Sequence, residues 1–476
     1  MPLVAGIDCS TQSTKALIVD FDSGEVVGQG RASHEVTGTG GARESDPEGW
    51  WTALRDALGQ TGRGGDLAAI SVAGQQHGMV VLDDRGNPLR SAKLWNDTES
   101  APDAAALIDA LGGPDWWAER VGLVPVASFT VTKWAWLRRM EPDVATATAA
   151  IRLPHDFLTE RLCGRGASDR GDTSGTGWWS TGTEAYVDEV LDHPSLCINP
   201  ALLPVVLGPG ESAGNVTRDA AGFIGVPAGI PVGPGTGDNA GAAVGLGLEV
   251  GVPVVSLGTS GTDFMVSESR IVDPSGMVAG FADATGRFLP LAATLNCTLA
   301  VDRMATWLGL EREEVSERTD VVVLPFFDGE RTPNLPNAAA SILGLRHTTE
   351  PGEILLGVYQ GAVLGLLDAL DVIDRCSSGI RPDAPLVLVG GGSKGETWRQ
   401  VVQAMSGRTV QIPEAEELVA LGAAAQAGAM LGEERPEEVA RRWNTRQGTV
   451  LASVPRDDET RDRISRAREL TAELNA

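Results

Sequence analysis

Short apolar runs alternate with longer segments of helical spacing along most of the chain. Val4–Ile7, Ala16–Asp20 and Val26–Gly30 read as successive strands, with Asp22-Ser-Gly-Glu25 supplying a turn. Trp50–Leu58 carries apolar residues at helical intervals. It is entered through Ser45-Asp46-Pro47-Glu48, an N-cap choice followed by proline near the first helical position. Ala69–Val72 and Met79–Leu82 are expected strands flanking Gly74-Gln75-Gln76-His77-Gly78, and residues 98–111 and 131–140 are expected helices. Residues 165–182, rich in Gly, Ser, Thr and Asp, read as an irregular loop closed by Trp178 and Trp179.

Near residue 245 the pattern restarts. Val252–Leu257 is strand-like, Gly258-Thr-Ser-Gly261 turns, and Asp263–Ser267 is strand-like again. The opening of the chain has the same form, with Asp8 to Thr14 as the hydroxyl-bearing turn, which suggests a duplicated architecture. Later, Ile354–Ile373 reads as a long buried helix, Pro385–Val389 as a strand, Trp398–Met405 as a helix and Thr409–Ile412 as a strand. Leu418–Leu431 is an Ala/Gly-rich helix whose small residues permit close packing, and 457–475 a charged surface helix. Hairpins mixed with alternating strands and helices indicate an α/β fold in both halves.

At 476 residues, 42% hydrophobic and 21% charged, the chain is expected to form two or three domains with ample core. A net charge of −26 argues against nucleic acid as a partner, and an acidic surface repels ATP unless the site compensates locally. No window reads as a membrane span, since residues 354–373 are interrupted by Gln360, Asp368 and Asp371. The N-terminus runs straight into a strand pattern without a basic leader, which favours the cytoplasm. Cys9, Cys163, Cys197, Cys297 and Cys376 are scattered, with no C-x-x-C pair, so neither a disulfide framework nor a zinc site is expected. Cys9 stays open, because it lies inside a candidate motif.

Several stretches carry candidate chemistry. Gly235-Thr-Gly-Asp238-Asn239-Ala-Gly241 sets a carboxylate and an amide among residues too small to hide them. An exposed carboxylate of this kind can accept a proton from a substrate hydroxyl, although Asp-Asn also suits an ordinary turn. Asp8 to Lys15 offers backbone N–H groups, the hydroxyls of Thr11, Ser13 and Thr14, and the Lys15 charge for a phosphate. Asp8 could hold Mg²⁺ through water. Gly258, Thr259 and Ser260 form a second such turn, and Gly390-Gly391-Gly392-Ser393 leaves room for a flat adenosine. Polar hairpins or flexible surface turns would look the same. Gln76, His77, Asn96 and Asp97 supply the mixed donors and acceptors that a polyol needs, while a histidine between apolar strands also suits a core role. A P-loop and a protein-kinase H-R-D loop are both missing from the sequence.

The ordered set Asp8-x-x-Thr11-x-Ser13-x-Lys15, Gly-Gln-Gln-His-Gly, Leu-Trp-Asn-Asp, Gly-Asp238-Asn-Ala, Ser-Leu-Gly-Thr-Ser-Gly, Gly329-Glu-Arg-Thr-Pro333 and Gly-Gly-Gly-Ser resembles the FGGY carbohydrate kinases, within them the branch acting on xylulose. The resemblance reaches to about Leu431. It implies two actin-like, ribonuclease-H-like α/β lobes flanking an active-site cleft, with residues 1–242 binding sugar and 243–476 binding ATP. The implied reaction is ATP- and Mg²⁺-dependent phosphorylation of D-xylulose, with other sugars or polyols (ribulose, fuculose, gluconate, glycerol) and a non-catalytic actin-like protein as the alternatives. By the same resemblance Asp238 is the general base, and Gln76, His77 and Asn239 contact the sugar. Asp8 and Thr11 face metal and phosphate, Gly258 and Thr259 form the second phosphate turn, Gly391 faces adenosine, and Asn296 lies near the nucleotide. A homodimer is suggested by the resemblance alone. Two positions depart from the family pattern: Ser10 stands where the first turn usually has Gly, and Gln76 where many members acting on xylulose have Met.

Overall fold

The computed structural model describes residues 2–335, 337–432 and 434–472. They form two compact units. The first comprises Met1–Leu248, Ser269–Leu289 and Ala415–Arg446, the second Glu249–Glu268, Pro290–Glu414 and Gln447–Ala476. Both are α/β.

In the first unit the strands follow the order Gly214–Asn215, Pro231–Val232, Leu67–Gly74, Leu3–Cys9, Ser13–Asp20, Val26–Ser33, with Thr236–Gly237 also pairing Leu67–Gly74. Leu3–Cys9 and Ser13–Asp20 form an antiparallel hairpin, and Leu67–Gly74 lies parallel to its first strand. Leu3–Cys9 is buried along its whole length, as a strand covered on both faces must be. The helix Pro47–Thr61 buries Trp50, Leu54 and Leu58 against this sheet. Its Asp46 N-cap accepts from Glu48 N, an interaction that typically stabilises by about 1 kcal/mol. The expected strands and helices up to residue 140 are present with shifted ends: Pro47–Thr61 and Leu67–Gly74 run longer than expected, whereas Val80–Leu82 and Ala101–Ala110 are shorter.

The expected loop 165–182 is not one. Ala167–Asp169 is a strand, Arg170–Thr173 a short helix and Trp179–Ser180 a strand. Residues 167–181 are buried throughout. The hydroxyl-rich composition is consumed internally: Thr173 Oγ1 donates to Ser168 Oγ, Ser174 Oγ to Gly171 O and Thr176 Oγ1 to Thr173 O. Internal satisfaction of this kind lets polar residues enter a core.

In the second unit the order is Phe288–Thr294 (paired through Leu291 to Thr294), Gly261–Phe264, Val254–Leu257, Leu386–Val389, Val410–Pro413, Gly448–Leu451. The hairpin Val254–Leu257/Gly261–Phe264 has Leu386–Val389 parallel to its first strand, repeating the arrangement of the first unit. The helix Pro351–Cys376 is long and apolar enough to cross a membrane, but 72% of its most apolar window is buried inside the protein. The last helix is Asp458–Leu470, and residues 473–475 of the expected 457–475 helix lie outside the described residues.

The units differ from a simple division at residue 242. The helix Leu418–Ala429 folds with the first unit, because small residues let it lie on the strand Leu3–Cys9 and on the helix Asp238–Gly245. A Cβ on Gly6 would stand 1.9 Å from Ala420 O, one on Gly422 1.9 Å from Gly241 O, and one on Gly245 2.0 Å from Leu418 O.

Candidate active site

Strand register gathers the first unit's acidic groups. Asp8 pairs across to Lys15 on one side and lies in register with Ala73 on the other. Ala73 and Gly74 in turn pair with Thr236 and Gly237. Asp8 and Asp238 therefore emerge from the ends of strands flanking a common neighbour, where ligands collect in open parallel sheets.

Asp238 opens the helix Asp238–Gly245 and is half-buried. Its Oδ1 accepts from Asn239 N (2.8 Å) and Asn239 Nδ2 (2.9 Å), and no described residue bonds Oδ2. Asn239 Nδ2 also donates to Gln76 Oε1 (2.7 Å), so Gln76, at the departure noted above, braces the Asp-Asn pair. Gly237 makes this possible: a Cβ there would lie 2.5 Å from Gln76 Cγ. Burial, then the negative charges of Asp8 and Asp172, push the Asp238 carboxyl up to about 7, against the two bonds from Asn239. A carboxylate poised there accepts a proton far better than an ordinary surface aspartate.

Asp8 is buried. Its Oδ2 accepts from Ser10 Oγ (2.6 Å) and lies 3.3 Å from Lys15 Nζ, which in turn bonds Glu417 Oε2 at 2.7 Å. Its Oδ1 is buried with no hydrogen-bond partner among the described residues. Burial raises the Asp8 pKa, opposed by Lys15. Ser10, the other departure, thus holds the carboxylate in place. Thr11 Oγ1 accepts from Trp95 Nε1 (3.1 Å), and the buried Ser13 Oγ accepts from Arg31 Nε (3.1 Å). Cys9 is buried and free, its thiol pushed up to about 12 by burial, which makes it a packing residue.

His77 is buried with a left-handed backbone, φ 63°. Its Nδ1 lies 3.0 Å from Asp172 Oδ1, a charge contact not aligned as a hydrogen bond, while its main-chain N–H donates to the same oxygen at 3.3 Å. The ring packs against Phe129 and Phe281. Gly175 backs it: a Cβ there would fall 1.7 Å from His77 Cε1. Asn96 is half-buried, with a buried Oδ1 that has no partner among the described residues. Asp97 is corrected from the expected sugar contact. It has no exposed surface, Oδ2 accepts from Lys93 Nζ and Arg43 N, and Oδ1 accepts from Glu99 N. Lys93 also reaches Glu44 and Glu99, so this acidic group is an ion-pair cluster.

The nucleotide-side candidates lie in the second unit. Thr259 is exposed in its turn, and Gly258 O accepts from Thr298 N (3.1 Å) and Thr298 Oγ1 (2.8 Å). Gly391 is exposed with open space over its Cα, whereas Gly392 packs on Leu257 and Ser393 Oγ turns back to Gly390 O (2.8 Å). Asn296 spends Nδ2 on Gly329 O and Glu330 Oε2, tying it to the Gly-Glu-Arg-Thr-Pro segment.

Sequence reading missed Asp172 and His155. His155 is fully buried, and its Nε2 lies 3.3 Å from Asp156 Oδ1, 3.3 Å from Asp169 Oδ1 and 3.5 Å from Asp172 Oδ2. The only available signal was the density of Asp in 156–172.

Two family models match the chain: the N-terminal domain of the FGGY family of carbohydrate kinases over residues 3–245 and its C-terminal domain over 254–431. The chain belongs to the FGGY carbohydrate kinases, phosphotransferases that take an alcohol as acceptor. Xylulose kinase of Streptomyces coelicolor is 59% identical to it over 98% of this chain and 95% of the relative, and that of Escherichia coli 32% over 88% of each. The crystal structure of xylulose kinase from Bifidobacterium adolescentis superposes with a TM-score of 0.86 at 36% identity, covering 98% of this chain and 99% of the other.

Proposed function

We propose that the protein transfers the γ-phosphoryl group of ATP to the terminal primary hydroxyl of D-xylulose, giving D-xylulose 5-phosphate and ADP. The observation that carries this reading is the Asp238 carboxylate, with Oδ1 held by Asn239, Oδ2 bonded by no described residue and its pKa pushed up to about 7, next to the Asn239–Gln76 hydrogen bond. The likeness to xylulose kinases over nearly the whole chain supports the choice of sugar.

The sugar oxygen bonds to the γ-phosphorus as the bond to the β–γ bridging oxygen breaks. Asp238 Oδ2 takes the hydroxyl proton late, because an alcohol is too weak an acid to lose it first. Gln76, His77 and Asn239 orient the ketose, and Asn96 adds an acceptor. Gly258, Thr259 and Gly391 receive the nucleotide, and Thr11 and Lys15 the transferred phosphoryl.

Asp8 suits Mg²⁺: a single buried carboxylate oxygen without a protein partner fits an ion that keeps most of its water. Bound there, the ion would neutralise phosphate charge. The burial of 72% of the most apolar window of Pro351–Cys376 inside the protein suits a core helix of a cytoplasmic enzyme.

A panel of D-xylulose, D-ribulose, L-fuculose, D-gluconate and glycerol, read by coupled ADP release, tests the reading. D-xylulose is expected to give the highest kcat/KM. A better rate with another acceptor would overturn the sugar, and ADP release independent of any acceptor would overturn kinase function.

A further inference from the structure

Behind the substrate face of the first unit lies a buried charge group that the reaction above does not use. Asp172, with no exposed surface, holds His77 from behind through Oδ1, and its Oδ2 faces His155. His155 is wedged by two glycines. A Cβ on Gly74 would stand 3.2 Å from His155 Cβ, and one on Gly235 2.5 Å from His155 Nδ1. Gly74 leads into Gln76 and His77, and Gly235 leads into Asp238. Asp169, a further His155 neighbour, accepts from Thr236 Oγ1 (3.0 Å), two residues before Asp238, and caps the short helix bearing Asp172 through Gly171 N and Asp172 N. Both arms of the substrate site therefore rest on one imidazole.

We propose that Asp172 and His155 are positioning residues for this kinase: Asp172 fixes the tautomer and direction of His77 toward the sugar, and His155 supplies the cation that balances the carboxylates behind His77 and Asp238. The proposal rests on His77 being a sugar contact.

The charges decide the assignment. The charged groups facing His155 are Asp156 on its own helix, Asp169, and Asp172 on the adjoining short helix. Three carboxylates around one ring favour imidazolium, and its pKa is pushed up to about 9, burial opposing. A carboxylate oxygen 3.0 Å from His77 Nδ1 repels a bare lone pair there, which favours the Nδ1–H tautomer and leaves Nε2 for the ligand. Asp172 also bears on Asp238, whose carboxyl its negative charge raises.

Opposite substitutions give opposite signs. Asp172→Asn removes a negative charge near Asp238, so the acid limb of kcat/KM for xylulose should move to lower pH. The sugar KM should rise roughly tenfold, with ATP KM unchanged. His155→Gln leaves the carboxylates unbalanced and should move the acid limb to higher pH, and His155→Lys, which keeps a cation, should restore it. Acid limbs that do not move, or that move the same way in both variants, would overturn the proposal.

Should a buried variant fail to fold, the wild-type protein still decides. ¹⁵N NMR of histidine-labelled enzyme, with His77 assigned through His77→Gln, should show the Nδ1–H tautomer. The Nε2–H tautomer would refute the proposal. Failure of the underlying reading has a separate signature: His77→Ala would leave the sugar KM unchanged. If His77→Ala raises it while Asp172→Asn does not, the sugar contact stands and the positioning role falls.

Discussion

The two units share one topology and use it for different chemistry. Each opens with an antiparallel hairpin whose first strand lies parallel to a later strand. In the first, the turn is flanked by Asp8 and Lys15, facing each other across the hairpin. In the second, the corresponding pair is Ser256 and Thr262, without charge. The second turn is tied down instead, by Thr298 at the start of the following helix. Duplication therefore preserved the backbone cradle, while ionisable groups that could bind metal and accept a proton collect on one copy only. The second unit does hold a carboxyl in its hairpin: Asp263 is fully buried, neither oxygen has a partner among the described residues, and burial alone holds its pKa well above the ordinary value. It faces no described cation, so it weakens its unit and does no visible work for the site.

Removing the base should produce the largest asymmetry. Asp238→Asn is expected to lower kcat by about 10²- to 10⁴-fold while leaving ATP binding intact by calorimetry, and near-normal turnover would sink the base assignment. In the wild type the same group sets the sign of the pH response. A carboxyl raised to about 7 is an effective base only when deprotonated, so kcat/KM should rise through that pH and level off above it.

The two turns can then be set against each other. Asp8→Asn should raise the Mg²⁺ concentration for half activity by about 10- to 100-fold. Thr259→Ala, which loses at most one neutral hydrogen bond, should raise ATP KM by only about fivefold, with the Mg²⁺ requirement unchanged. Equal effects in both titrations would erase the distinction between a charged and an uncharged cradle.

The smallest effect concerns stability. Because the folded pKa of Asp263 lies above its unfolded value, the folded state binds the proton more tightly, and stability falls as pH rises from the unfolded toward the folded pKa. Asp263→Val should raise the neutral-pH unfolding free energy by about 1–3 kcal/mol and flatten that slope in thermal melts. A lower Tm at pH 7 would mean that the carboxyl has a role after all.

The glycine-bounded motifs of this candidate site stood out in the sequence, and the groups packed behind them did not. Asp238, Asn239, Gln76 and His77 sit in short glycine-bounded motifs whose composition already suggests chemistry, and the hairpins showed as alternating apolar runs. Asp172 lay in a stretch whose Gly, Ser and Thr content is that of a surface loop. Only the fold reveals that its hydroxyls bond one another and that the segment is buried. Asp97 misled for the opposite reason, since its motif looked like ligand chemistry but Lys93, four residues back, claims it. The return of Leu418–Ala429 to the first unit was equally hidden: small residues announce close packing but not the partner.

That return has a consequence for how the polypeptide is made. The first strand, complete within the opening ten residues, keeps a bare glycine facing the place that Ala420 and Ala424 will later occupy. A nascent chain leaving the ribosome must carry that uncovered sheet face until some four hundred further residues have emerged, a long interval in which aggregation competes with docking. A layer made well before its cover is thus among the last to close.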